Sequence, residues 1–209
     1  MRSLTLTALL SLFAPAAFAS FTGDTSLSTV KAAFDNAGLP AALDINFNPT
    51  VLLEVTFPGP VYVHAGVQLT TTQTFPPPSF GIRILPPPLI APPYVVIAVD
   101  PDAPVGVAEV RHFVGSDFTP GVPDVNLVEP LRNSTPACSN WVNPQPPAGD
   151  PAHRYTFLLY KQSPDFDKQT VLQCNSTALP IGFNVSSFAA ATGLGDPIGG
   201  TFMLVAASS

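Results

Sequence analysis

Basic side chains are scarce in this chain: eight Lys plus Arg stand against fourteen Asp plus Glu, a formal charge of −6, and charged residues are only 11% of the sequence. No basic stripe is available to track phosphates, so nucleic acid and anionic membrane surfaces are poor partners, while a localised anion site stays compatible with the count. Long apolar runs are also missing. Beyond the N-terminus nothing approaches the roughly 18–20 uninterrupted apolar residues of a transmembrane helix. Nor is there a repeat of fixed period, a GxSxG turn that would present a hydrolase serine, or an HxH or HExxH spacing that ties two metal ligands together. What abounds is proline, 26 residues, in a chain that is still 46% hydrophobic. That is too apolar for a disordered polymer, and the prolines are expected to punctuate strands.

The first residues read as an export signal: Arg2 gives the positive start, Leu4 to Ala14 the apolar run, and Ala17-Phe18-Ala19 the small-x-small cleavage pattern. Residues 1–19 are thus a signal peptide, and cleavage leaves about 190 residues, 20–209, a length that suits one domain. The expected protein is secreted and extracellular. Its two cysteines, Cys138 and Cys174, both lie in the exported part, where an even count points to one disulfide worth about 4 kcal/mol on the chain-entropy model. Two buried free thiols are the competing reading. Asn133-Ser-Thr135, Asn175-Ser-Thr177 and Asn184-Val-Ser186 are glycosylation sequons, which fit an exported eukaryotic protein.

Residues Ser26 to Ala37 space Leu27, Val30, Phe34 and Ala37 along one helical face, with cap candidates Asp24 to Ser26 before and Gly38 and Pro40 after. Strands are predicted at Val51 to Phe57, Val67 to Thr74, Tyr94 to Val99, Arg111 to Gly115, Arg154 to Tyr160 and Thr201 to Val205. The run Tyr94 to Val99 is continuous rather than alternating, which predicts a central strand covered on both faces. Pro76 to Pro78 and Pro86 to Pro88 must be loops. Short helices fit Pro164 to Leu172, capped by Ser163, and Val185 to Thr192, capped by Asn184 and closed by Gly193. Many strands and few helices imply an antiparallel or mixed sandwich.

Asp100-Pro-Asp-Ala-Pro104 follows the central strand directly, and His112 and His153 each stand at the start of another. Two carboxylates and two imidazoles at strand ends can form an acid/base set, a metal site or a binding pocket. Each residue alone reads as a loop cap or surface group, as His64 does.

The ordered set decides more. Tyr94-Val-Val-Ile-Ala-Val-Asp-Pro-Asp-Ala-Pro104, then Arg111-His-Phe113, then His153-Arg-Tyr-Thr-Phe-Leu-Leu-Tyr160 resemble the three successive signatures of the phosphatidylethanolamine-binding protein family. Weaker matches at Glu54 to Phe57, Leu69 to Gln73, Phe183 to Phe188 and Gly200 to Phe202 extend the likeness over roughly residues 50 to 205. The resemblance implies a mainly β fold, a large central β-sheet packed with a smaller sheet and a few short peripheral helices. It implies a non-enzymatic binding protein without a cofactor. It assigns Asp100, Asp102, Pro104, His112, His153 and Tyr155 to a pocket for phosphate-like anions or phospholipid head groups.

In that reading His112, His153 and Tyr155 donate to the anion, Asp100 and Asp102 hold the histidines and loops, and Pro104 shapes the rim. Relatives include carboxypeptidase inhibitors, so the alternative partner is a secreted serine carboxypeptidase, met through the proline-rich loops Phe75 to Phe80 and Leu85 to Pro93. A metal-assisted hydrolase is the third reading. Two departures stand out. Trp141-Val-Asn-Pro-Gln-Pro-Pro147 occupies the place of a glycine-rich turn, implying a stiffer pocket wall. The chain also ends soon after Gly200-Thr-Phe202, implying that a C-terminal helix is absent and the mouth more open. Trp141 and Phe113 are candidates to line that mouth, although large aromatics are more often core.

Overall fold

The computed structural model describes residues 23–83, 92–104, 109–168 and 181–208. The expected signal peptide (residues 1–19), the proline run 84–91, Cys174 and Asn175 lie outside them.

Ser26 caps the first helix, α1 (Leu27–Asn36), its hydroxyl accepting from the Thr29 N–H, and Val30 and Phe34 turn inward. Gly38, at φ 66°, takes the left-handed conformation that closes it. Pro40 does not end the segment but opens a second short helix, α2 (Leu39–Ala42), because a first-turn proline forfeits no intrahelical bond.

Among the described residues nine strands follow: β1 (Leu52–Phe57), β2 (Val61–Val63), β3 (Val67–Leu69), β4 (Ser79–Arg83), β5 (Tyr94–Asp100), β6 (Val110–Pro120), β7 (Glu129–Asn133), β8 (His153–Lys161) and β9 (Gly199–Val205). Their order is β2-β1-β4-β7-β6-β5-β8-β9-β3, antiparallel throughout except for the β3–β9 pair. The β7 strand pairs with β4 through Glu129 and Pro130, then with β6 through Leu131 to Asn133. It therefore joins a small sheet (β2, β1, β4) to a large one (β6, β5, β8, β9, β3). One hydrophobic cluster lies between them, with Leu53, Val55 and Ile82 from the small sheet against Val96, Phe157 and Met203 from the large. A second cluster covers the other face of the large sheet, where α1, α2 and α3 (Val185–Thr192) pack on Ile97, Leu158 and Tyr160. Every residue of β5 is buried, as its unbroken apolar run predicts.

The fold departs from expectation in places. The strand expected to reach Thr74 stops at Leu69, because the Thr70 and Gln73 side chains bond each other's backbone and close a turn instead. Strands β2, β4 and β7 were not predicted: they are short, and β7 contains Pro130. Of the helix expected at Pro164 to Leu172, a 3-10 turn at Phe166–Lys168 is present and residues 169–172 lie outside the description. The α3 helix agrees with its predicted bounds, Asn184 Oδ1 accepting from the Ser187 N–H at 2.7 Å. Among the described residues no helix is long and apolar enough to cross a membrane.

Candidate functional site

Where β5 ends at Asp100, its two antiparallel neighbours begin, so β6 and β8 bring their first residues to the same edge. Alternation along β8 puts His153 and Tyr155 on the face of Phe157, toward the inter-sheet core, and Arg154 on the other. On β6 simple alternation would separate His112 from Phe113. Instead Ala98 pairs with Phe113 and Val99 with Arg111, so the register slips at His112. That bulge turns two successive side chains inward, Phe113 into the core and His112 into a cavity.

The cavity measures about 240 Å³. It is lined by Asp100, Pro104, His112, His153 and Tyr155, and by a wall from Val142, Asn143, Gln145 and Pro147. Its volume lies below the roughly 300–1,000 Å³ typical of sites for drug-sized ligands, so it has room for a small group only. Asp100, His112, His153 and Tyr155 are all buried. Among the described residues no serine, threonine, cysteine or lysine lines it. Among the described residues no group of three or more His, Cys, Asp or Glu side chains is arranged to hold a metal ion.

The titratable groups of the cavity hold one another or the backbone. Asp100 Oδ2 accepts from His153 Nδ1 at 2.8 Å, and Oδ1 accepts from the Asp102 N–H at 2.8 Å. His153 Nε2 lies 3.7 Å from Asp150 Oδ2. His112 Nδ1 lies 2.6 Å from the Val142 carbonyl, and the Val142 N–H donates back to the His112 carbonyl at 2.9 Å. Since a carbonyl only accepts, Nδ1 carries the proton. Burial pushes the His112 pKa below its ordinary value and the neighbouring His153 adds to this, while the Val142 carbonyl and the Asp100 charge pull the other way. The Tyr155 ring meets His112 edge-on at 4.9 Å. Burial, and then the Asp100 charge, raise the Tyr155 pKa far above its usual range, so the phenol keeps its proton.

Asp102 does not line the cavity. Its carboxylate clamps Arg154 on the outer face, accepting from Nε at 2.9 Å, from Nη2 at 2.5 Å and from the Arg154 backbone N–H at 2.8 Å. Arg154 Nη1 also reaches the Ala37 carbonyl at the end of α1. Burial acts to raise the Asp102 pKa, but these hydrogen bonds outweigh it and hold the carboxyl below its ordinary value. Asp102 thus fixes the turn that follows Asp100, the last residue of β5. On that outer side lies a larger groove of about 840 Å³, sharing Ala103 and His153 with the cavity as a common wall.

Neither Trp141 nor Phe113 lines the cavity: Phe113 belongs to the core, and half-buried Trp141 packs against it, stacking on Phe157 at 5.9 Å and donating to the Thr74 carbonyl at 3.1 Å. The 142–147 stretch forms a wall of the cavity, as its place in the sequence implied, whereas the Val142 carbonyl as partner of His112 and the roles of Asp150 and Arg154 were not foreseen. Arg154 sits inside the His153 to Tyr160 motif and was legible as a cation among acids; the Val142 carbonyl has no sequence signature at all. His64 is exposed on the turn before β3.

Residues 51–203 match the family model described as phosphatidylethanolamine-binding protein. Over 72 residues the chain is 35% identical to the Phomoidride biosynthesis cluster protein N of Talaromyces stipitatus, a stretch that is 32% of this chain and 35% of that protein, so the match spans about a third of the relative's length. Among solved structures, a carboxypeptidase Y inhibitor complexed with its cognate proteinase aligns at a TM-score of 0.69 and 20% identity, over 87% of this chain and 97% of that one. A phosphatidylethanolamine-binding protein from Plasmodium vivax aligns at 0.65 and 15%, over 85% and 97%. One from Plasmodium falciparum aligns at 0.63 and 18%, over 90% and 100%. At these identities the structural likenesses carry the fold, a sheet-rich core with short helices; the family-model match covers most of the sequence, and the chain belongs to the phosphatidylethanolamine-binding protein family.

Proposed function

We propose that this chain is a secreted, non-enzymatic binding protein whose cavity takes a phosphate-like anion or a phospholipid head group. One observation carries the reading: Asp100, His112, His153 and Tyr155 come from three strands and converge, buried, on a cavity of head-group size. Asp100 orients His153, the Val142 carbonyl orients His112, and the Asn143 and Gln145 amides on the wall add neutral donors. Among the described residues no serine or cysteine lines the cavity as a nucleophile, which supports binding without chemistry. Titration with inorganic phosphate, followed through the imidazole NMR signals, tests it. Shifts of both His112 and His153 are expected; signals unchanged at saturating phosphate refute the site.

Export would permit the Cys138–Cys174 disulfide and glycans at Asn133, Asn175 and Asn184. Asn133 and Asn184 are exposed, as glycosylation requires. A mass shift of the culture-medium protein on endoglycosidase treatment is expected. A second reading, inhibition of a secreted serine carboxypeptidase, is favoured by the fold likeness to the carboxypeptidase Y inhibitor. The loop that ends β3 offers Phe75, 68% exposed, as a contact. Absence of inhibition at micromolar protein removes it.

A further inference from the structure

The hydrogen-bond pattern inside the cavity specifies more than an anion. The ring N–H of His112 at Nδ1 is committed to the Val142 carbonyl, and that of His153 at Nδ1 to Asp100. His112 Nε2 has no hydrogen-bond partner among the described residues, yet it is not among the buried atoms shut off from solvent, so it is the ring nitrogen left to the cavity. A neutral imidazole that donates through Nδ1 presents a lone pair at Nε2. The other titratable groups facing it are acceptors too or already engaged: the Asp100 carboxylate of β5, and from β8 His153 and Tyr155, whose hydroxyl lies beside Asp100 and the Gln145 backbone. Asp150 stands behind His153, and the 142–147 wall contributes no titratable side chain.

An oxyanion entering this cavity meets an acceptor at His112, and the Asn143 and Gln145 residues of its wall carry amides able to donate. From this we infer that the cavity selects an oxyanion that brings its own proton, as hydrogen phosphate does, over a fully ionised one such as sulfate. Hydrogen phosphate points a P–OH at Nε2 and its remaining oxygens at the amides; sulfate has no hydrogen to give and sets lone pair against lone pair. His112 is the residue that determines this specificity. A site that leaves a polar group unpaired with the wrong ligand discriminates strongly, and burial strengthens the effect. The inference rests on the anion reading of the cavity and deepens it.

Calorimetric titration of the full chain with inorganic phosphate and with sulfate, at pH 7.5 and matched ionic strength, tests it. Phosphate is expected to bind at least about tenfold more tightly. Substituting His112→Gln places an amide, able to donate, near the former Nε2, and the phosphate-to-sulfate ratio is expected to fall toward one, chiefly by a gain for sulfate. Equal affinities in the unsubstituted protein overturn this inference and leave the anion site standing. Binding of neither ion overturns both. The unsubstituted ratio decides the matter even where His112→Gln fails to fold.

Discussion

Glu109 sits at the mouth of β6 with 7% of its surface exposed, and its Oε2 accepts the Val185 N–H at 2.8 Å, at the start of α3. Burial pushes its pKa up from 4.5 to about 7, against the smaller downward pull of that amide. Because the folded pKa lies above the unfolded one, the native state holds the extra proton between those values. The associated stability is complete below about pH 4.5 and is lost as pH rises through 7. A shift of that size corresponds to about 3 kcal/mol. Replacing Glu109→Gln keeps an oxygen for the Val185 N–H but removes the titration. The variant should match the parent within about 0.5 kcal/mol at pH 4.5 and exceed it by about 2–3 kcal/mol at pH 8, by urea unfolding. Glu54, raised by burial to about 7 despite the opposing charge of Arg83, keeps part of the same slope in both proteins, so the difference between them isolates Glu109. Equal stability at pH 8, with parallel pH profiles, would show that Glu109 is charged at little cost and refute the reasoning.

Arg154→Ala strips Asp102 of its clamp and frees the end of α1, and should cost about 2–3 kcal/mol in urea unfolding, with the Asp102 carboxyl rising toward its ordinary pKa by NMR. Gly199→Ala brings its new Cβ within 2.6 Å of the Val51 carbonyl, a backbone atom that cannot swing aside, and should lower stability by about 1–3 kcal/mol in thermal unfolding. Asn184→Ala removes the α3 cap and should cost about 1 kcal/mol in unglycosylated protein, with Asn184→Asp restoring most of it.

How far the fold was legible follows from which signals are local. The α3 helix carried its cap at Asn184 and its stop at Gly193 within ten residues, and β5 declared its two-sided burial by having no polar residue before Asp100. The small sheet was half hidden. β4 and β7 owe their strand state to partners far away in sequence, Gly81 facing Glu54 on one side and Pro130 on the other, and neither has a β-rich run of its own. Gly81 also explains its own presence, since a Cβ there would lie 2.7 Å from the Val128 side chain. At Thr70 to Thr74 the β-branched residues promised a strand, but their hydroxyls found backbone partners three and four residues away.

The site divides along the same line. That Asp100, His112, His153 and Tyr155 share a cavity was readable from their positions at strand ends in a known order of motifs. That Asp102 does not share it was unreadable, because two carboxylates flanking Pro101 differ only in what waits on each face. The inner face offers His153 and Tyr155, while the outer face offers Arg154, whose parity on β8 points it away from both. The cation takes the nearer acid, and the other acid is left to the histidine. His112 reaches the cavity only because the register slips by one residue, and its proton is fixed by the carbonyl of Val142, an atom every residue possesses. Residue type therefore tells which groups could take the proposed anion, whereas the placement of one backbone oxygen decides which nitrogen of His112 is left to meet it.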